Sequence, residues 1–176
     1  MALDTSLDSL TPDTRRAVKG LLEALDDAGV QYKVRSTLRT CAEQAEQYAI
    51  GRGDGDTRAI VTKAKGCMSW HTLGRAVDIT LLGGASYDIL GQLAEERGFK
   101  WGGRFEGFPD VGHVEYHPGL KIEDICQNPD DCEAGVALSR SIAAGDDDEP
   151  GLLLKLVGLV GGGVFGYLLV RYARSA

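Results

Sequence analysis

Two of the chain's three histidines lie in short segments whose local shape is dictated by the residues around them. The first segment runs Ser69-Trp70-His71-Thr72-Leu73-Gly74-Arg75-Ala76-Val77-Asp78, and the second Asp110-Val111-Gly112-His113-Val114-Glu115. From Arg75 to Thr80, Ala76, Asp78 and Thr80 alternate with the apolar Val77 and Ile79, the two-residue period of a strand. That period fixes which way Asp78 points. Residues 112–116 read as another short strand, with His113 and Glu115 on one face. The separation of His71 from Asp78 suits neither one helical turn nor one strand face. A turn at Gly74, where no Cβ restricts the backbone, lets both reach a single ion.

With His113 as third ligand, the set becomes two imidazoles and one carboxylate. Three such ligands with one open position suit zinc, whose bound water has a lowered pKa. Asp110 sits in the turn Gly107-Phe108-Pro109-Asp110 and supplies a spare carboxylate, expected to take the water's proton and pass it to the leaving amine. Glu115 is either support for an imidazole N–H or a competing ligand. His117, beside Pro118-Gly119, reads as a surface residue. A single histidine is usually structural. Two in segments rich in Gly and Asp, with Trp70 and Trp101 near, favour the metal.

The rest of the chain supplies helices. Thr11-Pro12-Asp13 is a helix start, and Val18, Leu21, Leu22, Leu25 and Ala28 recur at helical spacing up to a stop at Gly29. A strand is expected over 32–36, a second helix over 41–50 ending at Gly51, and a third over 86–97 ending at Gly98. Short strands interspersed with helices give an α+β class: one small catalytic domain, residues 1–125, with a short antiparallel sheet and flanking helices.

Charge and composition then divide the chain. The net charge of -7 argues against nucleic acid as partner. Asp130, Asp131, Glu133, Asp146, Asp147, Asp148 and Glu149 mark residues 126–150 as an acidic linker. Residues 151–172 are apolar except for Lys155 and the terminal Arg171, long enough for a transmembrane helix. Lys155 lies near one end and can reach the interface, and Gly158, Gly162 and Gly166 share one helix face, a pattern for helix–helix pairing and a homo-oligomer. A buried soluble helix is the alternative, weakened by those three glycines. The basic Arg171 and Arg174 place that end inside, so the domain is expected to face outward at the membrane. The first residues carry no secretory signal pattern. Cys41, Cys67, Cys126 and Cys132 form no CxxC pair; a small Cys126–Cys132 loop and four free thiols are both open.

SWHTLGRAVDI and DVGHVE together resemble the Ser-x-His-x-x-Gly-x-Ala-x-Asp and Asp-x-x-His pair of the zinc D-alanyl-D-alanine carboxypeptidase and L-alanyl-D-glutamate endopeptidase family. STLRTCAEQAEQYAIGR, the Ala59–Gly66 segment and FKWGGRFEGFPDVGHVEYHP resemble further family elements in the same order, over roughly residues 11–120. The resemblance implies zinc on His71, Asp78 and His113, Asp110 as general base, and Arg39 holding the substrate carbonyl and its oxyanion. Ser69 matches a motif position. An Arg39–Glu43 salt bridge is the alternative for that arginine. The implied substrate is the stem peptide of bacterial peptidoglycan. Cleavage after L-alanine is expected, as in phage endolysins, with D-alanyl-D-alanine carboxypeptidase activity or a non-catalytic, membrane-anchored wall-binding module as alternatives. The apolar C-terminal segment is not part of the family's pattern; delivery by a virion would reconcile it with the missing export signal.

Overall fold

The computed structural model describes residues 3–126 and Cys132. Helix α1, Pro12–Asp27, begins with Pro at its first position, where the missing N–H costs nothing. Thr14, Val18, Leu21 and Leu25 form its buried stripe. Burying each of the three apolar side chains stabilises the fold by about 1.5–3 kcal/mol. The helix ends where Gly29 takes a φ of 70°. The Val30 N–H then returns to the Leu25 carbonyl at 2.9 Å, and Gly29 N–H to Asp26. Helix α3, Tyr87–Glu96, stops in the same way at Gly98, with Phe99 N–H on the Ala94 carbonyl. Each reversal feeds a strand: β1, Tyr32–Ser36, after α1, and β3, Lys100–Trp101, after α3.

Strands β2, Ala76–Leu81, and β4, His113–Glu115, complete a four-stranded antiparallel sheet in the order β1-β2-β4-β3. Val77, Ile79 and Leu81 of β2 and Val114 of β4 point to one face, where they form a core with Val18, Leu21, Leu25, Leu90 and Ala94 of α1 and α3. Alternation turns Asp78, His113 and Glu115 to the other face. Helix α2, Cys41–Ala49, starts at a capping box between Thr40 and Glu43. The expected helices and three of the strands are present within a residue or two of their anticipated ends. The Lys100–Trp101 strand and the short helix α4, Ile122–Ile125, were not anticipated.

All four cysteines are paired, as Cys41–Cys67 and Cys126–Cys132, so the free-thiol alternative is overturned. Cys126 and Cys132 fall in the stretch read as linker, yet both are buried together with Cys67 and Leu73. No helix among the described residues is long and apolar enough to cross a membrane. The apolar segment 151–172, its three glycines and the linker beyond Cys132 lie outside the described residues.

Candidate metal centre

Register brings two of the anticipated ligands together: Asp78 of β2 is paired directly with His113 of β4. Such cross-strand neighbours have Cβ atoms about 5 Å apart. On the other flank β1 bulges between Val34 and Ser36, which leaves Arg35 unpaired and sets Ser36 opposite Asp78. His71 arrives from the loop before β2. That loop is wound tightly, with Thr72 N–H on the Ser69 carbonyl, Gly74 N–H on His71 and Arg75 N–H on Trp70. Ser69 Oγ accepts from the His71 N–H at 3.3 Å. Gly74 adopts a φ of 66°, and a Cβ there would meet the Ser9 carbonyl at 3.0 Å. The turn expected at Gly74 is therefore present, and only glycine suits it.

The three ligand atoms converge. His71 Nε2 lies 3.1 Å from Asp78 Oδ1, His113 Nδ1 lies 3.0 Å from the same oxygen, and the two nitrogens are 3.3 Å apart. Bonds of about 2.0–2.1 Å in a tetrahedron place neighbouring ligand atoms roughly 3.3 Å apart, so the spacing suits zinc. Proton placement agrees. His71 Nδ1 faces the Thr37 carbonyl at 2.6 Å and must donate to it, which leaves a lone pair on Nε2. His113 Nε2 faces the Glu115 carboxylate at 3.2 Å, so the neutral ring carries its lone pair on Nδ1. Two imidazole lone pairs and a carboxylate oxygen thus share one point. Only a proton or a metal cation satisfies them.

Electrostatics follow from the same contacts. Burial holds the His71 pKa below its ordinary value, against the pull of Asp78. Burial would raise the Asp78 carboxyl, but His71 and His113 keep it well below the usual range. His113 is opposed by burial too, yet Asp78 and Glu115 push it up to about 10. Burial also opposes ionisation of Glu115, but His113 and His117 bring it down to about 2.

A groove of about 800 Å³ opens over these ligands, lined also by Arg39, Lys63, Ser69, Trp70, Phe108 and Asp110. Asp110 is exposed there, one turn ahead of the third ligand, and its carbonyl accepts from His113 N–H. The preceding Trp101-Gly102-Gly103 block explains that placement. A Cβ on Gly102 would sit 2.4 Å from the Asp110 carbonyl, and Asp110 N–H bonds the Gly102 carbonyl at 2.9 Å. Arg39 does not pair with Glu43, which is used in the capping box; its Nη2 donates to Asp78 Oδ2 at 2.6 Å and its Nη1 to Gln44. Gln44, not anticipated as a site residue, is fully buried and donates onward to the Ala64 carbonyl. The one signal for it was a polar side chain on the inner face of α2. His117 is not a surface residue: its ring stacks on Trp70 at 3.9 Å and its Nε2 faces Glu115 at 3.0 Å. Asp56, in the glycine-rich loop of residues 51–57, accepts from Arg58 and from the Gly51 N–H.

Residues 62–116, which carry all three ligands, match a family described as D-alanyl-D-alanine carboxypeptidase. The chain is 29% identical over 126 residues to the peptidoglycan L-alanyl-D-glutamate endopeptidase CwlK of Bacillus subtilis, covering 62% of this chain and 74% of that protein. It is 25% identical over 122 residues to the L-alanyl-D-glutamate peptidase of Listeria phage A118, covering 64% of this chain and 40% of that protein. Among solved structures, a Zn(II)-bound mutant of the vancomycin resistance D,D-pentapeptidase VanY is 22% identical with a TM-score of 0.48, over 64% of this chain and 73% of that one.

Proposed function

We propose that this chain is a zinc-dependent peptidase that hydrolyses peptidoglycan stem peptides, with the L-alanyl-D-glutamate bond as first substrate. The observation that carries the reading is the convergence of His71 Nε2, Asp78 Oδ1 and His113 Nδ1 at one point open to a groove. The names of the CwlK and phage relatives support the bond choice. His71, Asp78 and His113 would hold zinc, which when bound supplies a Lewis acid for the scissile carbonyl and a lowered pKa for water. Asp110 takes the proton from the attacking water and delivers it to the leaving amine. Arg39, anchored on Asp78 and Gln44 at the groove wall, presents a fixed cation where oxyanion charge develops. The groove walls bind the peptide and exclude bulk water.

Mass spectrometry of muropeptides after digestion tests this, with zinc-loaded Asp110→Ala as control. The expected result is a new amino terminus at D-glutamate, lost by about 10²–10⁴-fold in the variant. Equal release by both proteins refutes the mechanism. The description of the matched family favours a second reading, D-alanyl-D-alanine carboxypeptidase, whose signature is loss of a terminal D-alanine. A non-catalytic wall-binding module releases neither product. We further propose that residues 151–172 insert into a membrane and self-associate through Gly158, Gly162 and Gly166, leaving the domain on the wall side, in a virion or at a cell surface. Flotation with liposomes, with and without residues 151–176, tests that placement; no difference defeats it.

A further inference from the structure

Behind the third ligand lies a second set of polar side chains that the proposed reaction does not use. Glu115 is nearly buried and places one carboxylate oxygen on each of two histidines: Oε2 on His113 Nε2 at 3.2 Å and Oε1 on His117 Nε2 at 3.0 Å. The other ring nitrogen of His117 lies 3.2 Å from the Leu120 carbonyl, and its ring lies flat on Trp70, 5° from parallel. Trp70 is itself fixed in the ligand loop, where its carbonyl accepts from Arg75 N–H at 2.8 Å.

We infer that Glu115 and His117 form a positioning circuit that holds His113 with Nδ1 toward the metal, and that the Trp70 stack ties this circuit to the loop carrying His71. Three observations carry it. Glu115 sits two residues from His113 on the same strand face, so β4 itself aims the carboxylate at the ligand ring. A buried carboxylate is costly unless hydrogen-bonded, and both of its oxygens are engaged by histidines. The two imidazole ligands are also backed unequally, His71 by the neutral Thr37 carbonyl and His113 by an anion. An anionic partner both orients an imidazole and makes it a stronger donor to a metal. The circuit therefore acts by charge on His113 alone, and meets the loop that carries His71 only through the Trp70 stack.

The inference rests on the metal site of the proposed function, but not on its substrate. The test is zinc affinity by competition with a chromophoric chelator, together with the visible absorption of the cobalt(II)-loaded protein. E115Q keeps the size and one accepting oxygen while removing the charge. H117F keeps a ring on Trp70 while removing the bond to Glu115. E115Q is expected to weaken zinc by about 10–100-fold and to shift the cobalt bands. H117F is expected to weaken it by less, in the same direction. Because both act on one path, the double variant is expected to bind about as weakly as E115Q alone. R58M serves as control: Arg58 is exposed, pairs with Asp56 and is expected to leave affinity unchanged. E115Q binding zinc within about twofold of wild type with an unshifted cobalt spectrum overturns the inference, as do independent, additive losses in the double variant. If E115Q fails to fold without metal, H117F decides alone, and unchanged affinity there overturns it. A wild-type protein that binds no zinc defeats the metal site itself; a wild type that binds with both variants unaffected defeats only the circuit.

Discussion

Replacing Cys41 and Cys67 together by alanine removes the covalent tie between the two halves of the groove wall. Cys41 opens α2 directly after Arg39 and Thr40, and Cys67 lies two residues before Ser69. The closed loop has a sequence separation of 26, against 6 for Cys126–Cys132. Loop-closure entropy assigns about 3.5 kcal/mol to the longer loop and about 2.2 kcal/mol to the shorter. Cys67 is buried against Leu73, so losing its sulfur contacts adds roughly 1 kcal/mol. At about 3 °C per kcal/mol for a domain of this size, the C41A/C67A variant is expected to melt some 10–15 °C below wild type. The assay is thermal and urea unfolding of oxidised wild type, of C41A/C67A and of C126A/C132A, each repeated in a phosphine reductant with thiols counted by mass spectrometry. Reductant should lower wild type toward the variants and leave C41A/C67A sensitive only through its remaining pair. A C41A/C67A midpoint within about 2 °C of wild type refutes the reasoning. So does a larger loss from C126A/C132A.

Metal binding should release a proton. The metal-free protein keeps His113 protonated up to about pH 10, so apparent zinc affinity is expected to rise about tenfold per pH unit from 7 to 9; a flat profile contradicts this. Without metal, His113 has a folded pKa above its ordinary 6.5, so its stabilisation is complete below that value and is lost as pH climbs through about 10. Glu115 works oppositely: its contribution is complete above about 4.5 and is lost as pH falls through about 2, and urea midpoints across pH measure both. Gly91→Ala should destabilise by about 1–3 kcal/mol in urea, because its Cβ would lie 2.3 Å from the Trp101 ring. The clash opposes the roughly 1 kcal/mol a helix gains from the change, so a stabilised variant would contradict the packing. Gly102→Ala should push the Asp110 turn outward and press on His113, lowering kcat more than about tenfold; unchanged kcat would show that the close approach is dispensable.

Much of the metal centre was legible in the chain because its parts obey local rules. Alternation aimed Asp78 and His113, and Gly74 marked the turn that returns His71. Helix ends were legible for the same reason, at Gly29, Gly51 and Gly98, each with positive φ. What stayed hidden depends on contacts between distant segments. The Cys41–Cys67 pairing follows from α2 packing beside the ligand loop, which no spacing announces. The two-residue strand β3 exists because β4 offers an edge to pair with, not because Lys100 and Trp101 alternate with anything. His117 looked exposed beside Pro118 and Gly119, yet the partner that covers it, Trp70, lies far back in the chain. Arg39 has a neighbour of opposite charge at Glu43, but the capping box had already engaged that carboxylate.

The pairing of Asp78 with His113 has a consequence for how such a peptidase can diversify. Two of the ligands are clamped by main-chain ladder bonds in the middle of a sheet, and the third is wound into a tight turn. The walls that would touch a peptide, around residues 61–64 and 105–111, hang outside that frame. Transplanting either wall from a relative should therefore alter which bond is cut while the ion stays seated, because selectivity and metal retention are written in separate parts of the backbone.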